Sequence, residues 1–159
     1  MLQGQTVPRP EGWVQEMHFA LFQNGQEVLT TTVTGSFDDD IGVGFVVLEG
    51  VAAGTYDIFI RAPRSLANVK RDVVLSGIED TVDMGTLLTG NGVQLVDIAN
   101  SADIIDGTDF SILAASFFLG IADPGYDGRA DYDGNNFVDG SDFSLLAGNF
   151  FISGPVEIP

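Results

Sequence analysis

From residue 13 to residue 88, apolar and polar residues alternate in short runs broken by turn signals, which is the period-two pattern of strands half-buried against a core. In the first run, Met17, Phe19 and Leu21 share one phase and Glu16 and His18 the other. Asn24-Gly25 then predicts a tight hairpin turn into a second strand over 27–34. Further strands are predicted over 43–48, 54–61, 68–75 and 81–87. Strands spaced this way predict an antiparallel β-sandwich. After Thr89-Gly-Asn-Gly92 the period changes to about 3.6. Phe110, Leu113, Ala114 and Phe117 recur at helical spacing, as do Phe143, Leu146, Ala147 and Phe150. Two amphipathic helices that pack on each other account for these stripes. The chain therefore divides into an extended segment 1–10, an all-β sandwich 11–90, a small all-α unit 91–154 and a tail 155–159. A loop over 120–128, anchored by Tyr126, connects the two helical parts.

The helical half is a duplication. Asp106-Gly-Thr-Asp-Phe-Ser-Ile-Leu-Ala-Ala-Ser-Phe-Phe118 aligns with Asp139-Gly-Ser-Asp-Phe-Ser-Leu-Leu-Ala-Gly-Asn-Phe-Phe151, with nine of thirteen positions identical and a spacing of thirty-three residues. Such a repeat marks two copies of one supersecondary unit, neither able to bury its apolar face alone. Each copy reads as a loop that ends in Asp and runs straight into a helix.

The second loop carries a metal-binding pattern. In Asp131-Tyr-Asp-Gly-Asn-Asn-Phe-Val-Asp-Gly-Ser-Asp142 the oxygen-bearing side chains Asp131, Asp133, Asn135, Asp139 and Asp142 stand at positions 1, 3, 5, 9 and 12 of a twelve-residue loop. That is EF-hand spacing, with the Phe137 carbonyl offered from position 7. Ca²⁺ takes six to eight oxygens at about 2.3–2.6 Å, and this spacing points them inward together. Asn136 stands where an EF-hand has Gly, and Asn tolerates the left-handed backbone that the turn demands. Asp142 stands where an EF-hand has Glu.

The first loop departs from the pattern. Counting back twelve residues from Asp109 puts Asp106 at position 9, Ala102 at 5, Asn100 at 3 and Ile98 at 1, so two ligands are missing. One inserted residue instead makes Asp97 position 1, with Asn100, Asp103, Asp106 and Asp109 as donors. Either way, fewer carboxylates predict a distorted or weak site.

A duplicated calcium loop, each followed by one helix and preceded by none, resembles a dockerin, over about residues 96–154. Dockerins plug proteins into cohesins on scaffoldins, and the resemblance implies calcium-dependent docking of a secreted protein onto a cohesin. It further implies that loop positions 10 and 11 and exposed helix residues form the contact surface: Gly107, Thr108, Ser111 and Ser116 in the first unit, Gly140, Ser141, Ser144 and Asn149 in the second. The near-identity of the two units implies a pseudo-twofold surface. Residues 42–61 resemble carboxypeptidase-regulatory-like modules. Those modules, like the X-modules that precede some dockerins, act as structural support.

Composition narrows the picture. The chain of 159 residues carries a formal net charge of −17 with six basic residues, which excludes a nucleic-acid partner because phosphates require a basic face. Residues 1–90 hold net −7 and residues 91–159 net −10, an excess that bound Ca²⁺ would offset. Cysteine is absent, and no apolar run reaches the length of a membrane span. The start of the chain lacks the pattern of a signal peptide, so it reads as the C-terminal part of a longer secreted or cell-surface protein.

Catalysis has no support. His18 sits on a polar strand phase with no partner motif, and Asp38-Asp-Asp40 reads as an exposed turn. The other reading of the chain is a calcium-stabilised carbohydrate-binding or adhesive module. Trp13, Phe37 and Tyr56 are its candidate stacking residues.

Overall fold

The computed structural model describes residue 3 and residues 13–37, 43–94 and 103–155. One five-stranded antiparallel sheet dominates it, in the order β3-β2-β1-β4-β5. Its strands are β1 Trp13–Gln23, β2 Gln26–Phe37, β3 Gly44–Phe45, β4 Gly54–Arg61 and β5 Asn68–Leu75. The hairpin between β1 and β2 turns at Asn24 and Gly25, with φ of 52° and 73°. Two residues with positive φ give the turn whose twist matches that of paired strands. The alternation of β1 sends Met17, Phe19 and Leu21 to one face, where they meet Tyr56, Ile58 and Ile60 of β4.

The expected sandwich and the expected all-α C-terminal unit are both corrected. Among the described residues no second sheet covers the Met17 face. Irregular chain covers it instead, through Val46, Leu48, Val51, Val82 and Met84. Of the 43–48 strand only Gly44–Phe45 pairs. The 81–87 strand does not form because side chains take its carbonyls: Asn68 Nδ2 donates to Met84 O and to Thr86 O, both at 2.9 Å, and Lys70 Nζ to Asp83 O at 2.7 Å. Positive φ at Gly77 (75°) before this run and at Gly85 (74°) within it breaks the extended chain. Tyr56 lies in this core with its hydroxyl donating to Ala52 O, so it offers no stacking surface. The side chains of Trp13 and Phe37, and residues 38–40, lie outside the described part.

Past residue 102 the chain is mostly loop, with two short helices, α1 Gly107–Ser116 and α2 Gly140–Gly148. Both start on the same device. Asp106 and Asp139 cap the helices, accepting from the amides of Thr108 and Ser141, while Asp109 and Asp142 accept from the amides of Asp106 and Asp139. Each capping box satisfies the helix's first free donors. The expected apolar stripes are half right. Leu113 and Leu146 are buried, but Phe110 and Phe143 are nearly half exposed and meet each other edge to face at 6.4 Å, and Ala114 and Ala147 face solvent.

The loop–helix units bind each other crosswise. Phe118 N donates to Val138 O at 2.8 Å and Val138 N to Leu119 O at 2.9 Å; in the other unit Phe151 N donates to Ile105 O at 2.8 Å and Ile105 N to Ile152 O at 3.1 Å. Each loop is thus stitched to the exit of the other unit's helix.

The sheet completes this half. Leu66, from the β4–β5 connection, joins Ile105, Leu113, Ala130, Tyr132, Val138 and Leu146 in one core. Arg61 and Asp103 form a buried ion pair at 3.2 Å across the junction. Arg64 Nη1 donates to Gly128 O at 3.0 Å, and Asn149 Nδ2 to Thr89 O at 2.7 Å. Among the described residues no helix is long and apolar enough to cross a membrane.

Removing one partner of a buried ion pair leaves the other charged and desolvated, at a cost of roughly 3–5 kcal/mol. Asp103→Ala is therefore expected to lose about that much stability in urea denaturation. The double substitution Arg61→Met with Asp103→Leu is expected to recover most of it.

Candidate metal centre

Three carboxylates of the second loop converge. Asp131, Asp133 and Asp142 bring one oxygen each to within 4.8 Å of one another, the only such group among the described residues. They come from the two ends of the loop, and the backbone between them explains how. Gly134 and Asn136 both take φ of 69°, reversing the chain twice within three residues. Asn136 adopts the left-handed conformation that its side chain tolerates. Asp142 closes the turn by accepting the amides of Tyr132 at 2.6 Å and Asp133 at 3.1 Å on Oδ1, and that of Asp139 at 2.9 Å on Oδ2.

The remaining expected ligands flank this group. Asp131 Oδ2 accepts from the Tyr126 hydroxyl at 2.8 Å and from Asn136 N at 3.0 Å. Asn135 bonds Asp133 through its amide and backbone, and its own Oδ1 accepts from Phe137 N. Asp139 Oδ1 is engaged by Ser141 N at 2.7 Å. The carbonyls on either side of Phe137 point to the 118–121 segment, where they accept from Phe118 N and Ile121 N. In extended chain alternate carbonyls point oppositely, so that of Phe137 turns toward the loop interior.

Electrostatics make the group uncomfortable by itself. Asp133 is pushed up to about 6, chiefly by burial and then by the neighbouring charges of Asp142, Asp131 and Asp139. Asp142 is raised as well, again chiefly by burial, against the lowering effect of the amides it accepts. The Tyr126 phenol is raised by burial and by its bond to Asp131, so it stays protonated and donates. Asp131 Oδ1 is buried without a hydrogen-bond partner. An orphaned carboxylate oxygen, beside two more carboxylates in a hard all-oxygen set, fits Ca²⁺.

The first loop assembles differently. Asp106 and Asp109 are brought to the helix start, where they form its capping box, and they join no group of three carboxylates among the described residues. Asp103 is turned to Arg61. Asp97 and Asn100 lie outside the described residues. The expected contact residues divide. Gly107, Thr108, Ser111, Gly140, Ser141 and Ser144 are exposed. Ser116 and Asn149 are buried instead, Ser116 accepting from Asp127 N at 2.8 Å and Asn149 bonding Thr89. Both stand three residues past the buried leucine of their helix, so they face the core. Sequence reasoning missed the role of Tyr126 in holding Asp131, since a phenol five residues ahead of a loop carries no motif.

If Ca²⁺ is held here, protons would compete with it for Asp133. Because its carboxyl sits near 6, calcium affinity is expected to fall as pH drops through about 6 and to level off above about 7, measured by calcium titration at pH 5, 6 and 7.5. The sign reverses without metal. A carboxyl raised in the folded state loses stability as pH rises, so in chelator the fold is expected to be more stable at pH 5.5 than at pH 7.5. A flat affinity across this range would contradict the convergence of charges described.

No model of a known protein family matches the chain, and no curated protein matches it. Solved structures do. The chain is similar to a chain of a type II cohesin–X-dockerin complex from Acetivibrio cellulolyticus, described as a C-terminal interface mutant, with 18% identity, a TM-score of 0.57, and coverage of 87% of this chain and 83% of that one. An N-terminal interface mutant of the same complex matches equally, at 18% identity and a TM-score of 0.56 over the same shares. At this identity the likeness is one of fold, and it spans the sheet and the loop–helix pair together.

Proposed function

We propose that the chain is a calcium-dependent protein–protein interaction module that docks a secreted protein onto a cohesin, with the sheet as its supporting platform. The observation that carries this reading is the fold likeness to a cohesin–X-dockerin complex chain over 87% of the present chain, taken together with a duplicated loop–helix unit bearing a cluster of three converging carboxylates. The repeat favours the X-dockerin side of such a complex over the cohesin side. Cellulosome-type assembly outside the cell, where calcium is abundant, is the setting this reading implies. It needs no catalytic centre.

In this reading the ion fixes the second loop, the loop fixes the start of α2, and the exposed helix starts meet the partner. Gly107, Thr108 and Ser111 on α1, and Gly140, Ser141 and Ser144 on α2, offer small hydroxyl-bearing surfaces. The half-exposed Phe110–Phe143 pair lies beside them. Small polar residues around a central aromatic pair match the anatomy of a specific interface. Chain charge bears on rate: at −17, association is expected to be fastest with a basic cohesin surface and to slow with added salt.

The test is calorimetric titration of type II cohesins into the chain, with calcium and with EDTA. Binding in calcium, lost in EDTA, is expected. Charging the surface by Ser111→Asp with Ser144→Asp should weaken it at least tenfold while leaving the melting temperature within about 2 °C, because both positions are exposed. Failure to bind every cohesin type, alongside retention on a polysaccharide column, would favour the adhesive reading instead.

A further inference from the structure

The two loops can be superimposed by their hydrogen bonds, and the result relocates the first. Asp142 Oδ1 gathers the amides of Tyr132 and Asp133, residues 2 and 3 of the second loop. Its counterpart Asp109 gathers through Oδ1 the amides of Gly92 at 2.7 Å and Val93 at 3.0 Å. Gly92 and Val93 therefore stand where Tyr132 and Asp133 stand, and Asn91 stands where Asp131 does. The far end agrees. Asp103 O accepts from Gly154 N as Asn136 O does from Ile121 N, and Ile105 pairs as Val138 does. The first loop thus runs from Asn91 to Asp109, nineteen residues against twelve, of which 95–102 lie outside the described part.

In this frame the first loop has lost its leading carboxylates. Asn91 replaces Asp131, and Val93, which has no donor, replaces Asp133. Asn91 is 1% exposed, and both Oδ1 and Nδ2 are buried without hydrogen-bond partners, whereas Asp131 leaves only an acceptor free. Asn91 offers one neutral oxygen where Asp131 offers a charged one, so among the described residues at positions 1, 3 and 12 the first loop holds one carboxylate, Asp109, against three in the second. Tyr132 adds a steric reason. A Cβ on Gly92 would lie 3.2 Å from the Tyr132 hydroxyl and 3.1 Å from Arg129 O, so the second loop fills the space where position 2 of the first would project.

What replaces the ion is the sheet. Asn91 N donates to Arg64 O at 3.1 Å, Gln94 Nε2 to Ala62 O at 2.8 Å and Ser65 O at 2.7 Å, and Arg61 holds Asp103. We infer that the first loop keeps the frame of a calcium site without the calcium, so that the chain binds one Ca²⁺, at residues 131–142, and calcium controls the α2 unit while the sheet holds the α1 unit.

This rests on the calcium reading of the second loop, and the experiment separates the two. Isothermal titration of Ca²⁺ into the full chain at pH 7.5 is expected to give one binding event, abolished by Asp131→Ala with Asp133→Ala. Two events, one of them lost in that variant, would overturn the inference and leave the second-loop reading intact; a single event that survives in the variant, or no event at all, would overturn both. Hydrogen exchange provides the independent readout. After chelation, amides 132–146 are expected to lose protection at least tenfold while those of Phe110 and Leu113, bonded within the α1 unit, change less than twofold. Equal loss in both units would refute the division of control.

Discussion

Three carboxylates drawn to within 4.8 Å, at the buried closing point of one loop, are the constraint on which the loop–helix half of this protein depends. Like charges in a partly desolvated site repel, and burial adds to the penalty. The fold nevertheless brings them together, because Asp142 is needed at that point to cap α2 and to collect the amides of Tyr132, Asp133 and Asp139. On the calcium reading, a divalent cation would convert the repulsion into coordination. The same atoms then link ion, loop and helix start in one network.

The other loop–helix unit solves the same backbone problem with less charge. Asp109 collects its amides in the same geometry, but its neighbours at the loop start are Asn91 and Val93. Rigidity comes from β-sheet contacts: Leu66 in the shared core, Arg61 against Asp103, Gln94 against the β4–β5 turn. The sheet is therefore more than a spacer ahead of the loop pair. It supplies one side of the core shared by both loop–helix units, and in the proposed reading it holds the α1 unit while calcium would control the α2 unit.

Local rules made much of this legible. Strands β4 and β5 fall at 54–61 and 68–75 as their alternation predicts, and Asn24-Gly25 turns where its chemistry requires. The second loop is readable because its donors lie within twelve consecutive residues. Misreadings arise where distant residues decide. The 81–87 run has strand composition, but Asn68 and Lys70 take its carbonyls. Two capping boxes and apolar stripes suggest a helical domain, yet each helix spans barely three turns and leans on loops and sheet. Asn91 gives no local signal, since the extra residues of its loop hide its register with Asp131. Ser116 and Asn149 read as surface polar residues until the packing turns them inward.

Thermal unfolding of the whole chain, followed by circular dichroism in millimolar calcium and again in excess EDTA, tests the central constraint most directly. An ion bound only by the folded state stabilises it by RT ln(1 + [Ca²⁺]/Kd), about 4 kcal/mol at a thousandfold excess over Kd. The account predicts a melting temperature several degrees higher in calcium, with only the part of the helical signal that belongs to α2 lost first in EDTA. Superimposable melts in the two conditions would contradict it.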